Sequence, residues 1–295
     1  MSSSTPDWLK KKVNLNNFKI KQIKNLLYDL HLNTVCQSAG CPNIFECFGK
    51  KIATFMLMGD TCTRNCGFCG IRSGKPQILD EDEPSRIASA VKKMRLKYTV
   101  ITSVTRDDLP DGGSSHFAKT ISEIKRLNPF SKIECLIPDF KGNTDNLKIV
   151  LMRNPDVLAH NIETIKRNFS LARKYSNYET SLAILKFSKL FKPDIYTKSG
   201  FMLGLGESRE EVEELLADLK GANCDIVTIG QYLRPSLSNI PVKKYYKPEE
   251  FESIKELAMS FGFKAVESGI FTRSSYGAGF VLDKIIKERG SPVIS

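Results

Sequence analysis

The 295-residue chain has no apolar run near the roughly 18 residues needed to cross a membrane. Its head, MSSSTPDWLKKKVN, also lacks the apolar core of a secretory signal. Neither membrane insertion nor export is expected, so the eight cysteines read as thiols of the reducing cytoplasm rather than a disulfide framework. Organelle transit peptides are Arg-rich, whereas Lys10, Lys11 and Lys12 stand in this head. The dinucleotide-binding fingerprint is missing too, because Gly204-Leu205-Gly206 has Arg209 where a third glycine belongs. No nucleic-acid-binding module is present, and aromatic residues are not interleaved with basic ones as base stacking requires. With 41% hydrophobic and 26% charged residues, the chain has core enough to fold without cross-links.

Six of the eight cysteines lie in one stretch, from Cys36 to Cys69, which reads CQSAGCPNIFECFGKKIATFMLMGDTCTRNCGFC. They form two triplets, Cys36, Cys41 and Cys47, then Cys62, Cys66 and Cys69. The second has CX3CX2C spacing on a glycine-containing loop after an apolar run, so each thiolate can take a different iron of one polynuclear cluster. A cubane held by three protein thiolates leaves its fourth iron open. Zinc and disulfides are the competing uses. Zinc prefers four ligands in paired knuckles, and no further Cys or His lies close by. The first triplet also supplies three thiolates, and its fourth ligand must come from far along the chain. Cys135 and Cys224, in apolar strands, read as core thiols.

From residue 53 short apolar runs alternate with helical spacing. Strands are expected at 53–59, 98–104, 132–138, 157–162, 196–203 and 225–231. Helices follow near 84–95, 115–127, 144–153, 179–191, 207–220 and 248–262, the first with Ile87, Ala88, Val91 and Met94 on its apolar face. Six such pairs imply parallel β/α packing but fall short of the eight that close a TIM barrel. The expected fold is a partial (β/α)6 barrel over 53–263, with an N-terminal extension at 1–52 and a C-terminal one at 264–295. A doubly wound sheet is the runner-up. Barrel chemistry sits at the C-terminal strand ends, where the second triplet, Asp107, Asp108 and Asp111, His160 to Glu163, and Gly204 to Glu207 all fall. The aspartates lack calcium-loop spacing and read as a turn that shapes the pocket. His160 reads sooner as a satisfied strand-end histidine than as a catalyst.

The CX3CX2C loop, with Phe68 before its last cysteine, resembles the signature of the radical SAM superfamily, and the CX4CX5C triplet upstream resembles the lipoyl synthases. The similarity runs from 30 to 281 through GDTCTRNCGFC, ITSVTRDDLPDGG, IECLIPDFKG, HNIET, KSGFMLGLGE, IGQYLRPS, YYKPEEF and ESGIFTRSSYGA. It implies the radical SAM core fold, two 4Fe–4S clusters and S-adenosylmethionine (SAM) as co-substrate. SAM would chelate the open iron of the Cys62, Cys66, Cys69 cluster and be cleaved to a 5′-deoxyadenosyl radical. Ser275, in the run Arg273-Ser274-Ser275-Tyr276-Gly277-Ala278, would be the fourth ligand of an auxiliary cluster on Cys36, Cys41 and Cys47. A hydroxyl or alkoxide is a harder, weaker ligand than a thiolate, so the iron it holds is the easiest to detach, as suits a cluster that is consumed.

The resemblance also implies that Arg173 lies near the SAM carboxylate, which a guanidinium fork suits. Asn161 and Glu163 would be polar groups of the pocket, and Gly204 and Glu207 would belong to the GXIXGXXE element beside the adenine. Lys166 and Ser170 depart from the family pattern, which has prolines there. The implied reaction inserts sulfur at C6 and C8 of an octanoyl chain carried on a lysine of a lipoyl carrier domain. Such carriers are the E2 subunits of 2-oxoacid dehydrogenases and the glycine cleavage H protein. An electron donor such as ferredoxin or flavodoxin and an iron–sulfur carrier for cluster rebuilding complete the partners. Within a net charge of +11, the lysines among residues 1–31 are either a solvated face or a patch for an acidic carrier. An amphipathic helix is expected from Phe18 to Leu30, capped by Asn16 or Asn17. An RNA-modifying radical SAM enzyme would need an RNA-binding appendage that is not apparent, and a non-enzymatic iron–sulfur carrier would need neither barrel nor open iron.

Overall fold

A computed structural model describes residues 6–10, 18–49 and 52–290. Lys11, Lys12, Val13, Leu15 and the expected helix caps Asn16 and Asn17 lie outside the described residues.

Consecutive apolar residues are buried on both faces where a parallel sheet is covered by helices, and that is how the apolar runs are used. The strands are β1 (Asn33–Thr34), β2 (Thr54–Leu57), β3 (Thr61–Cys62), β4 (Arg72–Ser73), β5 (Tyr98–Ser103) and β6 (Lys132–Leu136). Then come β7 (Val157–Ala159), β8 (Tyr196–Leu203), β9 (Ile226–Gln231) and β10 (Ala265–Gly269). The main sheet has the order β1-β2-β5-β6-β7-β8-β9-β10, parallel from β2 onward, with β1 antiparallel on β2. Among the described residues no ladder returns from β10 to β1 or β2, so the barrel is partial and open on that side.

The first three helices, α1 (Phe18–Asp29), α2 (Val35–Ser38) and α3 (Ile44–Gly49), precede the barrel. Each expected strand–helix pair is present, through α4 (Glu83–Met94), α5 (Ser114–Leu127), α6 (Thr144–Leu151), α8 (Tyr178–Phe191), α9 (Arg209–Gly221) and α10 (Pro248–Ser260), with a short α7 (Phe169–Ala172) before α8. In α4 the predicted face of Ile87, Ala88, Val91 and Met94 is buried, worth about 1.5–3 kcal/mol for each of the three larger side chains. Local signals fix the starts: Ser208 and Glu211 form a capping box on α9, and Pro248 opens α10. The seventh parallel strand, β10, was not expected, because only Val266 of its five residues is buried and no apolar run announces it.

The final helix, α11 (Ala278–Gly290), packs Val281, Leu282 and Ile285 against Val157, Tyr196 and Ile226. Those three open β7, β8 and β9, so α11 covers the N-terminal end of the barrel and leaves the opposite mouth to the loops. Among the described residues no helix is long and apolar enough to cross a membrane.

Candidate functional site

The second cysteine triplet lies at that mouth. Cys62 is on β3, which pairs with β4, so Cys66 and Cys69 sit on a loop closed by a two-strand ladder. Backbone N–H groups point at the sulfurs: Arg64 and Thr105 donate to Cys62 Sγ at 3.4 and 3.3 Å, and Ile71 donates to Cys69 Sγ at 3.4 Å. The loop is clamped on both sides. Gly67 donates to Ala172 O and accepts from Ile240 N, each at 2.9 Å, and Asn239 Nδ2 donates to the carbonyls of Gly67 and Cys69. A Cβ on Gly67 would come within 2.8 Å of the Ile240 side chain and 3.0 Å of the Leu171 carbonyl, so a larger residue there would make these neighbours shift.

Burial pushes Cys66 up to about 11, with Arg173 opposing, and pushes Cys69 up to about 12. Thiols in such a place become thiolates only if a cation neutralises them, and cluster iron supplies that charge together with soft-ligand affinity. Among the described residues no three His, Cys, Asp or Glu converge as ligands of a single ion, whereas a polynuclear cluster spreads its thiolates over different irons. The donor set fits a cluster. In the iron-free protein the sign is that of groups raised above their ordinary 9.0. Their stabilising contribution is complete below about pH 9 and is lost as pH climbs through about 11 and 12. The iron-free chain should therefore lose more thermal stability over that range than a C66S/C69S variant does, measured by circular dichroism. Parallel losses in the two proteins would contradict this.

The polar groups beside the loop follow β7 and α7. Glu163 donates its N–H to Gly200 O and accepts from Met202 N, both at 2.9 Å, in a left-handed backbone conformation at φ 70°. Strain of this kind in a non-glycine residue collects at functional sites. Burial raises the Glu163 carboxyl, and Arg173 opposes it. Asn161 Oδ1 is buried without a hydrogen-bond partner, beside Gly200, where an added Cβ would come within 3.1 Å of it; an unpaired buried acceptor of this kind is a group that a bound donor could satisfy. Arg173 stacks over Phe169 at 5.6 Å and donates Nη1 to Asn161 O at 2.9 Å. Despite Lys166 and Ser170, its loop is orderly: a single 3-10 turn at Lys166–Asn168 leads into α7.

The remaining expected residues have visible partners. Glu207 folds onto its own turn, accepting from Gly204 N at 2.6 Å and Leu205 N at 2.9 Å. Gly204 has φ 113°, and a Cβ there would fall 2.3 Å from Gln231 Nε2. His160 is buried with Nδ1 against Ile137 O at 2.9 Å and Nε2 against Ser181 Oγ at 3.1 Å; burial pushes it down to about 4, so it is neutral. The three aspartates of the 107–111 turn are engaged separately. Asp107 pairs with Arg64, Asp108 with Arg106, and Asp111 accepts from Gly113 N and Ser115 N at the start of α5. Cys135 is buried in β6, while buried Cys224 lies just before β9, where its thiol donates to Ile226 O.

The first triplet is spread over α2 and α3. Cys36 and Cys47 are buried on these helices with Cys41 between them, and burial raises the Cys36 thiol. Contacts from more than 200 residues away reach this unit: Asn43 Nδ2 donates to Phe271 O at 2.7 Å, and Tyr276 Oη to Glu46 Oε1 at 2.7 Å. Ser274 Oγ lies 3.5 Å from Asn161 Nδ2. Ser275 thus stands between a residue anchored on α3 and one anchored at the barrel mouth. A largely apolar cavity of about 470 Å³ opens beside Cys36 and Cys41, lined by Pro42, Ile44, Phe45, Leu233 and Phe271 among others.

Two side chains had no assigned role from sequence. Arg64 lies inside the CX3CX2C loop and forms bidentate pairs with Asp107 and Asp139. Burial pushes the Asp139 carboxyl up, but the hydrogen bonds and charge of Arg64 outweigh this and hold it well below the ordinary carboxylate range. Both residues lie in the runs that carry the resemblance, and a charged residue between cluster cysteines was the available signal.

The family model of the radical SAM superfamily matches residues 56–219. The chain is 53% identical to a lipoyl synthase of Caldicellulosiruptor saccharolyticus over 94% of this chain and 96% of that protein. It is 54% identical to a lipoyl synthase of Caldicellulosiruptor bescii (92% and 94%), and 48% to a mitochondrial lipoyl synthase of Nematostella vectensis (92% and 93%). Among solved structures, Streptococcus suis SuiB bound to S-adenosylmethionine aligns with TM-score 0.55 at 13% identity, over 83% of this chain and 58% of that one. The hydrogenase maturase HydG aligns with TM-score 0.53 at 13% identity, over 76% and 58%. These two likenesses concern the fold alone, and the chain spans little more than half of either structure. Half-identical relatives along nearly the whole chain, with a superfamily model over the barrel, establish that the chain belongs to the lipoyl synthases of the radical SAM superfamily.

Proposed function

We propose that the two cysteine triplets and Ser275 are the ligand sets with which this chain performs lipoyl synthesis, the insertion of two sulfur atoms at C6 and C8 of a protein-bound octanoyl-lysine. When bound, SAM on one 4Fe–4S cluster supplies the hydrogen-abstracting radical, and a second, sacrificial cluster supplies the sulfur. The protein's part is to hold, orient and shield. Cys62, Cys66 and Cys69 hold the first cluster on three irons, and the clamps on Gly67 keep that loop rigid. Arg173, Asn161 and Glu163 present a guanidinium, a partnerless acceptor and a carboxyl to the amino and carboxylate groups of SAM. Gly204 allows close backbone approach on the adenine side, and Glu207 keeps that turn closed. Cys36, Cys41, Cys47 and Ser275 hold the second cluster, with the apolar cavity beside them for the acyl chain, which needs a site free of water.

The observation that carries this reading is the folding of the RSSYGA run onto α3, 230 residues away, by the Tyr276–Glu46 bond. We place the protein in the cytoplasm, in three parts: an extension at 1–52, a barrel from 53 that takes in β10 and so runs to 269 rather than to the expected 263, and a C-terminal extension beyond it that carries the RSSYGA run. Its partners are octanoylated E2 domains or H protein, a ferredoxin or flavodoxin, and an iron–sulfur carrier. The test is anaerobic reconstitution with iron and sulfide, then reduction and incubation with SAM and an octanoyl-lysine peptide. About eight irons per chain, 5′-deoxyadenosine and a peptide that gains sulfur by mass spectrometry are expected. Deoxyadenosine without sulfur on the peptide would point to another substrate, and four irons or fewer would overturn the two-cluster reading.

A further inference from the structure

Behind the proposed iron ligands lies a network of charged side chains. Arg64 is 4% exposed, and two carboxylates close its guanidinium. Asp107 accepts from Nε and Nη2 at 2.7 and 3.0 Å, and Asp139 from Nη1 and Nη2 at 2.7 and 2.8 Å. Asp107 follows β5; its N–H donates to Thr63 Oγ1 in the cysteine loop, and Lys141, just past β6, has Nζ 3.9 Å from its carboxylate, so its contacts join β5, β6 and the cysteine loop without involving Arg173. Asp139 follows β6 and also reaches across. Its Oδ2 accepts from the Ser176 hydroxyl and lies 3.8 Å from Arg173 Nη2. Bidentate pairs fix direction as well as distance, so the cysteine loop cannot rotate about Arg64 without breaking both.

We infer that Asp139 is a positioning residue. Through Arg64 on one side and Ser176 and Arg173 on the other, it sets the cysteine loop against the Arg173 guanidinium, and so the seating of the SAM carboxylate relative to the open iron. The inference rests on the ligand reading above. Groups that orient metal ligands from behind typically change affinity or activity by about 10- to 100-fold when removed. Asp107 shares Arg64 but does not reach Arg173, so the two aspartates of one guanidinium have different duties.

The test compares D139N, D107N and S176A in the full chain. SAM is titrated against the reconstituted, reduced protein and binding is read from the change in the cluster's electron paramagnetic resonance spectrum. Amide hydrogen exchange is followed in the iron-free chain. D139N should weaken SAM binding about 10- to 100-fold and quicken exchange at 62–69 and 172–176 together. D107N should quicken exchange at 62–69 alone and leave the SAM Kd within about threefold. S176A should weaken SAM about two- to tenfold, and it decides the matter if D139N does not fold. Equal Kd shifts in D139N and D107N that track their Tm losses would overturn the inference, as would unchanged SAM binding in D139N. Failure of the ligand reading looks different: a chain with Cys36, Cys41 and Cys47 replaced by alanine would hold no iron at all. The exchange comparison, made without iron, would still decide whether Asp139 joins the two loops.

Discussion

Replacing Cys66 by alanine is expected to abolish 5′-deoxyadenosine formation, a loss of more than about 1000-fold, because the cofactor and not a side chain carries the hard step. Bound iron should fall from about eight to about four per chain. Three thiolates are the minimum that hold a cubane while leaving one iron free, and nothing nearby substitutes for the missing one. Among the described residues no other group of His, Cys, Asp or Glu converges there. The charged groups that act on Cys66 are Arg173, Glu163 and Arg64: the arginines have no lone pair to give to iron, and burial disfavours the ionised form of Glu163. Thermal stability of the iron-free variant should change little, since one half-buried thiol of modest volume is removed. Iron analysis and mass spectrometry of the nucleoside check both parts. Eight irons with undiminished deoxyadenosine would remove Cys66 from the ligand set.

The second large effect separates the two clusters. S275C should keep about eight irons and keep deoxyadenosine formation within about threefold, yet lose more than about 100-fold of the sulfur delivered to the octanoyl peptide. A cysteine in place of Ser275 completes a four-thiolate set, and soft thiolate holds iron more firmly than a hydroxyl does. The site would become more stable and less able to give up its sulfur. S275A should also lose transfer, but with weaker iron retention, so the pair distinguishes a ligand that is too strong from one that is absent. An S275C protein that thiolates the peptide at the rate of the unchanged chain would refute the weak-ligand argument. The Tyr276–Glu46 and Asn43–Phe271 contacts should persist in both variants, because neither involves the Ser275 side chain.

The six strand–helix pairs were legible because each is announced locally, by an apolar run or by helical spacing with a cap. β10 was not, since a strand with one buried residue has no such run. In the site the cysteines were legible from spacing alone. The fate of the carboxylates was not: Glu207 closes its own turn, and Asp107, Asp108 and Asp111 divide among three separate partners. His160 matched its expectation of a satisfied strand-end residue, with a carbonyl and a hydroxyl on its two nitrogens.

By itself the amino-acid sequence determined the α/β class, the order of the barrel elements and the two sets of three thiols. Each of these rests on residues close together along the chain, where the periods of strand and helix and the spacing of a loop act directly. Only the tertiary structure decided that Tyr276 meets Glu46, that Asn161 Oδ1 is left without a partner, and that Arg64 and Asp139 tie the cysteine loop to the loop of Arg173. Those encounters depend on the summed geometry of all the strands and helices between the partners, which no local pattern encodes.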